Sequence, residues 1–180
     1  MHERRFNGGA DRLRTPERIA LLEVERVAKL SAEEKSIQKV LDIGTGSGLF
    51  AEAFASLNKE VTGIDVSDEM IKTAKDNLPS AKFEKALAEE IPYPDNSFDL
   101  AFMGLVLHEA DDLLKALKEA RRVAKERVAI LEWPYTEGEY GPPLEHRIKP
   151  EVFASLINEA GYKSFEKVEL KNLLLYKLKP

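Results

Sequence analysis

Three glycines in five residues, Gly44-Thr45-Gly46-Ser47-Gly48, follow the apolar run Val40-Leu41-Asp42-Ile43 and precede a helical pattern from Leu49 to Leu57. A glycine turn between a buried strand and a helix lets the backbone approach a ligand without side-chain obstruction, and the helix N-terminus offers unpaired N–H groups to an anionic group. The spacing is Gly-x-Gly-x-Gly, not the Gly-x-Gly-x-x-Gly of dinucleotide binders, and no Gly-Lys-Thr/Ser follows to make a P-loop. Roughly twenty residues on, Asp65 closes the next apolar run, where a carboxylate accepts hydrogen bonds from both hydroxyls of a ribose. The plainer alternatives are a structural turn for the loop and a capping or solvated acid for Asp65. Together they point to a nucleoside ligand.

His108 stands just after a buried run, Phe98 to Met103, in Leu105-Val106-Leu107-His108-Glu109. An imidazole there is placed to take a proton from an acceptor, or to serve only as helix-start structure. His146 lies in the stretch from Glu132-Trp133-Pro134-Tyr135 to Leu144-Glu145-His146-Arg147. That stretch offers a substrate wall or lid; its plainer reading is a rigid Gly-Pro-Pro connector with His146 and Arg147 in surface pairs. Arg4, Arg5 and Phe6 have the composition of an arm over the site or of a frayed terminus.

The chain has 180 residues, 43% apolar and 33% charged, with a formal net charge of −5 and no cysteine. Without cysteine there is no disulfide, thiolate metal site or thiol nucleophile, and no metal site is expected. The apolar runs are far short of the ~18–20 residues of a membrane span, and the N-terminus lacks a signal-like apolar core, so a cytoplasmic location is expected. Mild acidity argues against a nonspecific nucleic-acid surface, and pairs such as Arg121-Arg122 read as a solvated helix face.

The elements that must hold these residues alternate. Thr15-Pro16-Glu17 predicts a helix over 16–30, and Ser31-Ala32-Glu33-Glu34 has capping-box spacing for a second short turn or helix. Strands are predicted near 40–43, 60–64, 81–86, 98–103 and 127–133. Helices are predicted over 49–57, 68–77 and 111–124. After a loop over 134–149, Pro150 opens a helix that ends at Gly161, and strands over 163–169 and 173–178 form a hairpin at Asn172. This predicts one α/β domain over 1–180: a doubly wound, Rossmann-like, mostly parallel seven-stranded sheet with a C-terminal antiparallel hairpin and helices on both faces. Residues 1–36 form its N-terminal helical segment and 134–149 its substrate-side loop.

The segments Val40 to Gly48, Val61-Thr62-Gly63-Ile64-Asp65-Val66-Ser67-Asp68-Glu69-Met70 and Ala88-Glu89-Glu90-Ile91-Pro92-Tyr93-Pro94-Asp95-Asn96-Ser97-Phe98-Asp99 resemble successive motifs of the class I S-adenosylmethionine-dependent methyltransferases. The resemblance runs from about Val40 to Trp133 and is nearest to the broad small-molecule subgroup that contains the quinone-biosynthesis C-methyltransferases. It implies S-adenosyl-L-methionine as cofactor, S-adenosyl-L-homocysteine as product and a small-molecule methyl acceptor. It implies that Gly44, Thr45, Gly46 and Gly48 line the methionine portion, that Asp42 orients its ammonium group, and that Asp65 holds the ribose. Val66 and Met70 would pack on the adenine, with core packing an alternative for Met70. Ala88 and Glu89 would edge the adenine, and Met103, Gly104 and Leu105 would border the reactive methyl.

Two positions depart from the family pattern. Leu87 stands where many relatives carry an Asp for the adenine amino group, and Ala124-Lys125-Glu126 replaces the usual Lys-Pro-Gly-Gly turn. Trp133-Pro134-Tyr135 lacks the amide or carboxylate of the DNA amino-methyltransferase motif, and no covalent route through sulfur exists. A cofactor-binding or scaffold subunit without transfer, and a nucleotide-dependent oxidoreductase, are the alternative functions.

Overall fold

The computed structural model describes residues 9–180, so the expectation for Arg4, Arg5 and Phe6 lies outside the described residues. Two parallel units start the sheet: β1 (Lys39–Ile43), α3 (Leu49–Ser56), β2 (Glu60–Asp65), α4 (Asp68–Asn77) and β3 (Lys82–Lys85). The chain then crosses back to β4 (Phe98–Gly104), which pairs with the other edge of β1, and continues through α5 (Leu113–Val123) to β5 (Ala124–Glu132). Helix α6 (Pro150–Glu159) and strands β6 (Ser164–Glu169) and β7 (Leu174–Lys179) complete a seven-stranded sheet of order β3-β2-β1-β4-β5-β7-β6. Strand β7 inserts antiparallel between β5 and β6. The reversal of strand order between the parallel neighbours β1 and β4 is the switch point at which open α/β sheets bind ligands, beyond the carboxyl ends of the strands.

Two-residue alternation divides the core. Val40, Leu100, Phe102, Ala129 and Leu131 face a cluster built on Phe50 and Phe54 of α3, where the Phe54 and Phe102 rings meet edge to face at 5.2 Å. Leu41, Ile43, Ala101, Met103, Val128 and Ile130 face α5 and α6 through Leu117, Phe153 and Ile157. Side-chain caps mark helix starts: the Ser67 hydroxyl accepts from the Met70 N–H at 3.3 Å, and the Asp112 carboxylate accepts from the Lys115 N–H at 2.9 Å.

Three elements differ from their expected form. The first helix is two, α1 (Pro16–Leu21) and α2 (Val24–Ser31), because Glu23 is left-handed at φ 48°. Its carboxylate accepts from Arg26 at 2.7 Å and from the Lys171 N–H at 2.8 Å, while Leu22 and Val24 on either side are buried. Tertiary bonding thus breaks a helix that the apolar spacing alone would continue. Ser31 ends α2 instead of capping a new helix, and strand β5 begins at Ala124, immediately after α5. The short connection is absorbed as a register shift between Phe98 and Leu100.

Arg122 is not a solvated charge. It donates to both Glu119 oxygens at 2.7 and 2.8 Å, to the carbonyls of Tyr93 at 2.7 Å and Ile91 at 2.9 Å, and to Asp95 at 3.0 Å. One side chain therefore ties the 91–95 loop, which follows Ala88 and Glu89, to α5. No helix among the described residues is long and apolar enough to cross a membrane. Replacing Arg122 by Ala is expected to cost about 1–3 kcal/mol, since charge-assisted bonds to two partly buried carbonyls and to Glu119 are lost. Thermal unfolding should show this as a Tm lower by roughly 2–12 °C; an unchanged Tm would contradict the assigned role.

Candidate active site

The glycine loop follows β1 and turns on left-handed residues. Gly44 has φ +69°, and a Cβ there would lie 2.4 Å from Val106 Cγ2, so both backbone and neighbour require glycine. The Thr45 N–H donates to the Ile64 carbonyl at 2.9 Å and joins the loop to the end of β2. Asp65 makes the second joint: one carboxylate oxygen accepts from the Gly46 N–H and the other from the Ser67 N–H, each at 2.9 Å. Burial pushes the Asp65 carboxyl above its ordinary pKa, against the pull of these backbone donors. A carboxylate accepts up to about four hydrogen bonds, so room remains beside the Gly46, Ser67 and Val66 N–H groups for a ligand hydroxyl.

Asp42 lies beneath the loop, 2% exposed, with the Thr45 hydroxyl donating to it at 2.7 Å. Burial, reinforced by the nearby Asp65 charge, pushes its pKa up to about 7 despite the Thr45 bond. One buried and one partly buried carboxylate at a single loop make a site that a cationic ligand would relieve.

These residues line a cavity of about 630 Å³, within the range of small-molecule sites. The cavity takes in Asp42, Gly44, Thr45, Gly46, Asp65, Val66, Met70, Gly104, Leu105 and His108. A smaller recess of about 70 Å³ beside Gly44, Asp65 and Val66 is lined by Ala88 and Glu89. Glu89 is committed to structure as well, one of its oxygens accepting from the Asp111 N–H at 2.7 Å and the Asp112 N–H at 3.3 Å. Leu87 is 40% exposed and lines neither space.

Three expected site residues lie elsewhere. Met103 points its side chain into the α5–α6 core with no exposure, because alternation along β4 puts it opposite Phe102 and Gly104. Gly48 sits outside the cavity lining, and a Cβ on it would stand 3.3 Å from Ala74 of α4. His146 ends a 3-10 turn, Leu144–His146, away from the lining, while the adjacent Arg147 turns inward.

His108 is in the 3-10 turn Leu107–Glu109, 5% exposed. Its Nδ1 lies 2.9 and 3.1 Å from the two carboxylate oxygens of Glu132, the last residue of β5. Because a carboxylate only accepts, Nδ1 carries the proton, and Nε2 is left toward Glu109 Oε1 at 3.9 Å. Burial lowers the imidazole pKa, but the Glu132 charge and hydrogen bond outweigh it and hold the group above the ordinary histidine value. Glu132 is fixed in turn by the N–H groups of His108 at 3.1 Å and Trp133 at 3.2 Å. The sequence reading places Glu132 at the end of the 127–133 strand, where the following loop begins, and gives its side chain no role. The signal for its role was its parity with Val128 and Ile130 at the carboxyl end of a buried strand.

The outer walls come from both flanks. Leu13, Arg18, Leu21 and Leu22 line the cavity from the N-terminal side, and Trp133, Tyr140, Gly141 and Pro142 from the loop after β5. Arg14 anchors the first group, donating to Glu52 at 2.8 Å and to the Ser47 carbonyl at 3.2 Å. Among the described residues no group of three or more His, Asp or Glu is disposed to hold a metal ion.

Residues 41–131 match the family described as "Methyltransferase domain". A crystal structure of an S-adenosylmethionine-dependent methyltransferase from Aquifex aeolicus has a TM-score of 0.82 and 30% identity, covering 94% of this chain and 95% of that one. The chain belongs to the class I S-adenosylmethionine-dependent methyltransferases. The similarity extends to an uncharacterized methyltransferase, YcgJ, of Bacillus subtilis, 35% identical over 101 residues, 53% of this chain and 40% of that protein. A demethylmenaquinone methyltransferase of Chlorobaculum parvum is 34% identical over 99 residues, 54% of this chain and 41% of that protein. The matched region thus spans about two fifths of these curated relatives. The glycine cradle, the twin carboxylates and the cavity size fit the cofactor of the family.

The raised Asp42 pKa has a definite sign. Between about pH 4 and 7 the folded state binds more protons than the unfolded chain, so this group's contribution to stability falls as pH rises through that window. Urea unfolding at pH 5 and pH 8 should therefore show Asp42→Asn gaining stability relative to the wild type at the higher pH; a difference independent of pH would contradict it.

Proposed function

We propose that this chain transfers a methyl group from S-adenosylmethionine directly to a small-molecule acceptor in the cytoplasm. The observation that carries the reading is the convergence of Asp65, the glycine loop and the His108–Glu132 pair on one cavity at the strand switch point. Gly44, Thr45, Gly46 and Asp42 would hold the methionine portion, Asp65 the ribose, Val66, Met70, Ala88 and Glu89 the adenine. Gly104 and Leu105 would border the reacting end. When bound, the cofactor supplies an electrophilic methyl on a sulfonium.

The residues then have to orient the acceptor, exclude water and accept its proton. Nε2 of His108 is the proton acceptor in this reading, since Nδ1–H is donated to Glu132. Such a base contributes about 10²–10⁴-fold where the acceptor is an alcohol, amine or activated carbon acid. Glu132 stabilises the imidazolium that results. The charged, cysteine-free composition supports direct transfer with no sulfur intermediate.

Calorimetry with S-adenosylhomocysteine tests the cofactor half. Wild type should bind, and Asp65→Ala should lose about 1.5–3 kcal/mol for each charge-assisted hydrogen bond removed. No heat and no thermal stabilisation in millimolar ligand would refute the reading. For the base, turnover against a panel of acceptors with tritiated cofactor should rise with pH through an apparent pKa above 6.5, the ordinary histidine value. Glu132→Gln should move that midpoint down, and His108→Gln should cut kcat by about 10²-fold or more with cofactor affinity retained. A pH profile indifferent to Glu132→Gln would remove the pair from the chemistry.

A further inference from the structure

The acceptor-side wall is built around a single cation. Arg147 is 8% exposed and donates to four carbonyls of the loop that it closes. Nε reaches Pro142 at 2.9 Å, Nη1 reaches Pro134 at 3.1 Å and Thr136 at 2.6 Å, and Nη2 reaches Tyr140 at 2.6 Å. The guanidinium carbon lies 5.6 Å from the Trp133 ring centroid. Gly141 packs on the same ring: its φ is +91°, and a Cβ on it would stand 2.6 Å from Trp133 Cδ2.

Apart from the 3-10 turn Leu144–His146, the loop between β5 and α6 has no regular structure. Ordering such a loop costs about 1–2 kcal/mol per residue in backbone entropy. Four hydrogen bonds from one planar fork, with a ring stacked against it, replace the ladder that a helix or strand would provide. A lysine cannot do this, having a compact charge and no fork. The wall it holds stands at the end of β5, three strand spacings or roughly 14 Å across the sheet from Asp65 at the end of β2.

We propose that Arg147 is a positioning residue for the acceptor: by holding Trp133, Tyr140, Gly141 and Pro142 as a fixed wall, it sets the size limit of the molecule to be methylated without touching it. The inference rests on the reading of this cavity as a methyl-transfer site, but its test does not require turnover. Trp133 is the single tryptophan of the chain, so intrinsic fluorescence reports the wall directly.

In Arg147→Ala the emission should shift to the red and acrylamide quenching should rise by about threefold, as the ring loses its cover. Affinity for S-adenosylhomocysteine should stay within about twofold, because the cofactor residues lie at the other end of the cavity. Fluorescence titration with phenol and 2-naphthol should show the ratio of their binding constants moving about tenfold in favour of the larger probe. Arg147→Lys should fall between wild type and Arg147→Ala. Gly141→Ala displaces the loop from the ring while leaving Arg147 intact, and it decides the matter if Arg147→Ala does not fold. Wild-type quenching in the variants, or no better admission of 2-naphthol than by wild type, overturns the proposal. So does an equal loss of cofactor affinity, which marks a merely structural role. Failure of wild type to bind S-adenosylhomocysteine would instead strike the cofactor reading.

Discussion

One carboxylate joins the two strand ends on which this site is built. Asp65 receives the Gly46 N–H on one oxygen and the Ser67 N–H on the other, so the turn after β1 and the turn after β2 cannot move independently. The glycine loop needs this, because its left-handed residues have no helical or strand ladder of their own to hold them. The Thr45 N–H bond to Ile64 repeats the restraint from the backbone. Helices α3 and α4 start from these turns, so the same joint sets where their N-termini lie and gives the cavity its floor.

The arrangement concentrates negative charge. Asp42, Asp65, Glu89 and Glu132 all sit at or beyond carboxyl ends of the parallel strands; Asp42, Glu89 and Glu132 are buried, and Asp65 is partly so. Each is held by hydrogen bonds, yet burial still raises the pKa of Asp42 and Asp65. A core of apolar residues at these positions would be cheaper to fold. What the carboxylates provide is preorganisation: fixed acceptors in a low-dielectric pocket, set before any ligand arrives. A ligand carrying positive charge gains from the field that the empty protein must tolerate.

The walls are secured by a different kind of bond. Arg14 ties the N-terminal segment to α3 and the glycine loop, and Arg147 gathers four carbonyls of its own loop; Arg122 does the same for the 91–95 loop, which it fastens to α5. Arginine suits this because one planar group presents five donors in fixed directions. The glycine loop and Asp65 thus contribute the floor, and the Arg14 and Arg147 forks hold the segments that stand around it.

Much of this was legible in the residues alone. The order of strands and helices, the switch point, the glycine loop and its pairing with Asp65 all follow from local patterns: two-residue and helical periodicities, caps, and glycines at a turn. Those are properties of a few neighbouring residues, and hydrogen bonding within the segment enforces them. The break at Glu23, the inward side chain of Met103, the pairing of Glu132 with His108 and the four carbonyls on Arg147 were decided only by tertiary structure. Each depends on partners 5 to 148 positions away in the chain, such as Pro142 for Arg147 and Lys171 for Glu23. A charged side chain reads the same in sequence whether it meets water or a buried partner, and only packing determines which.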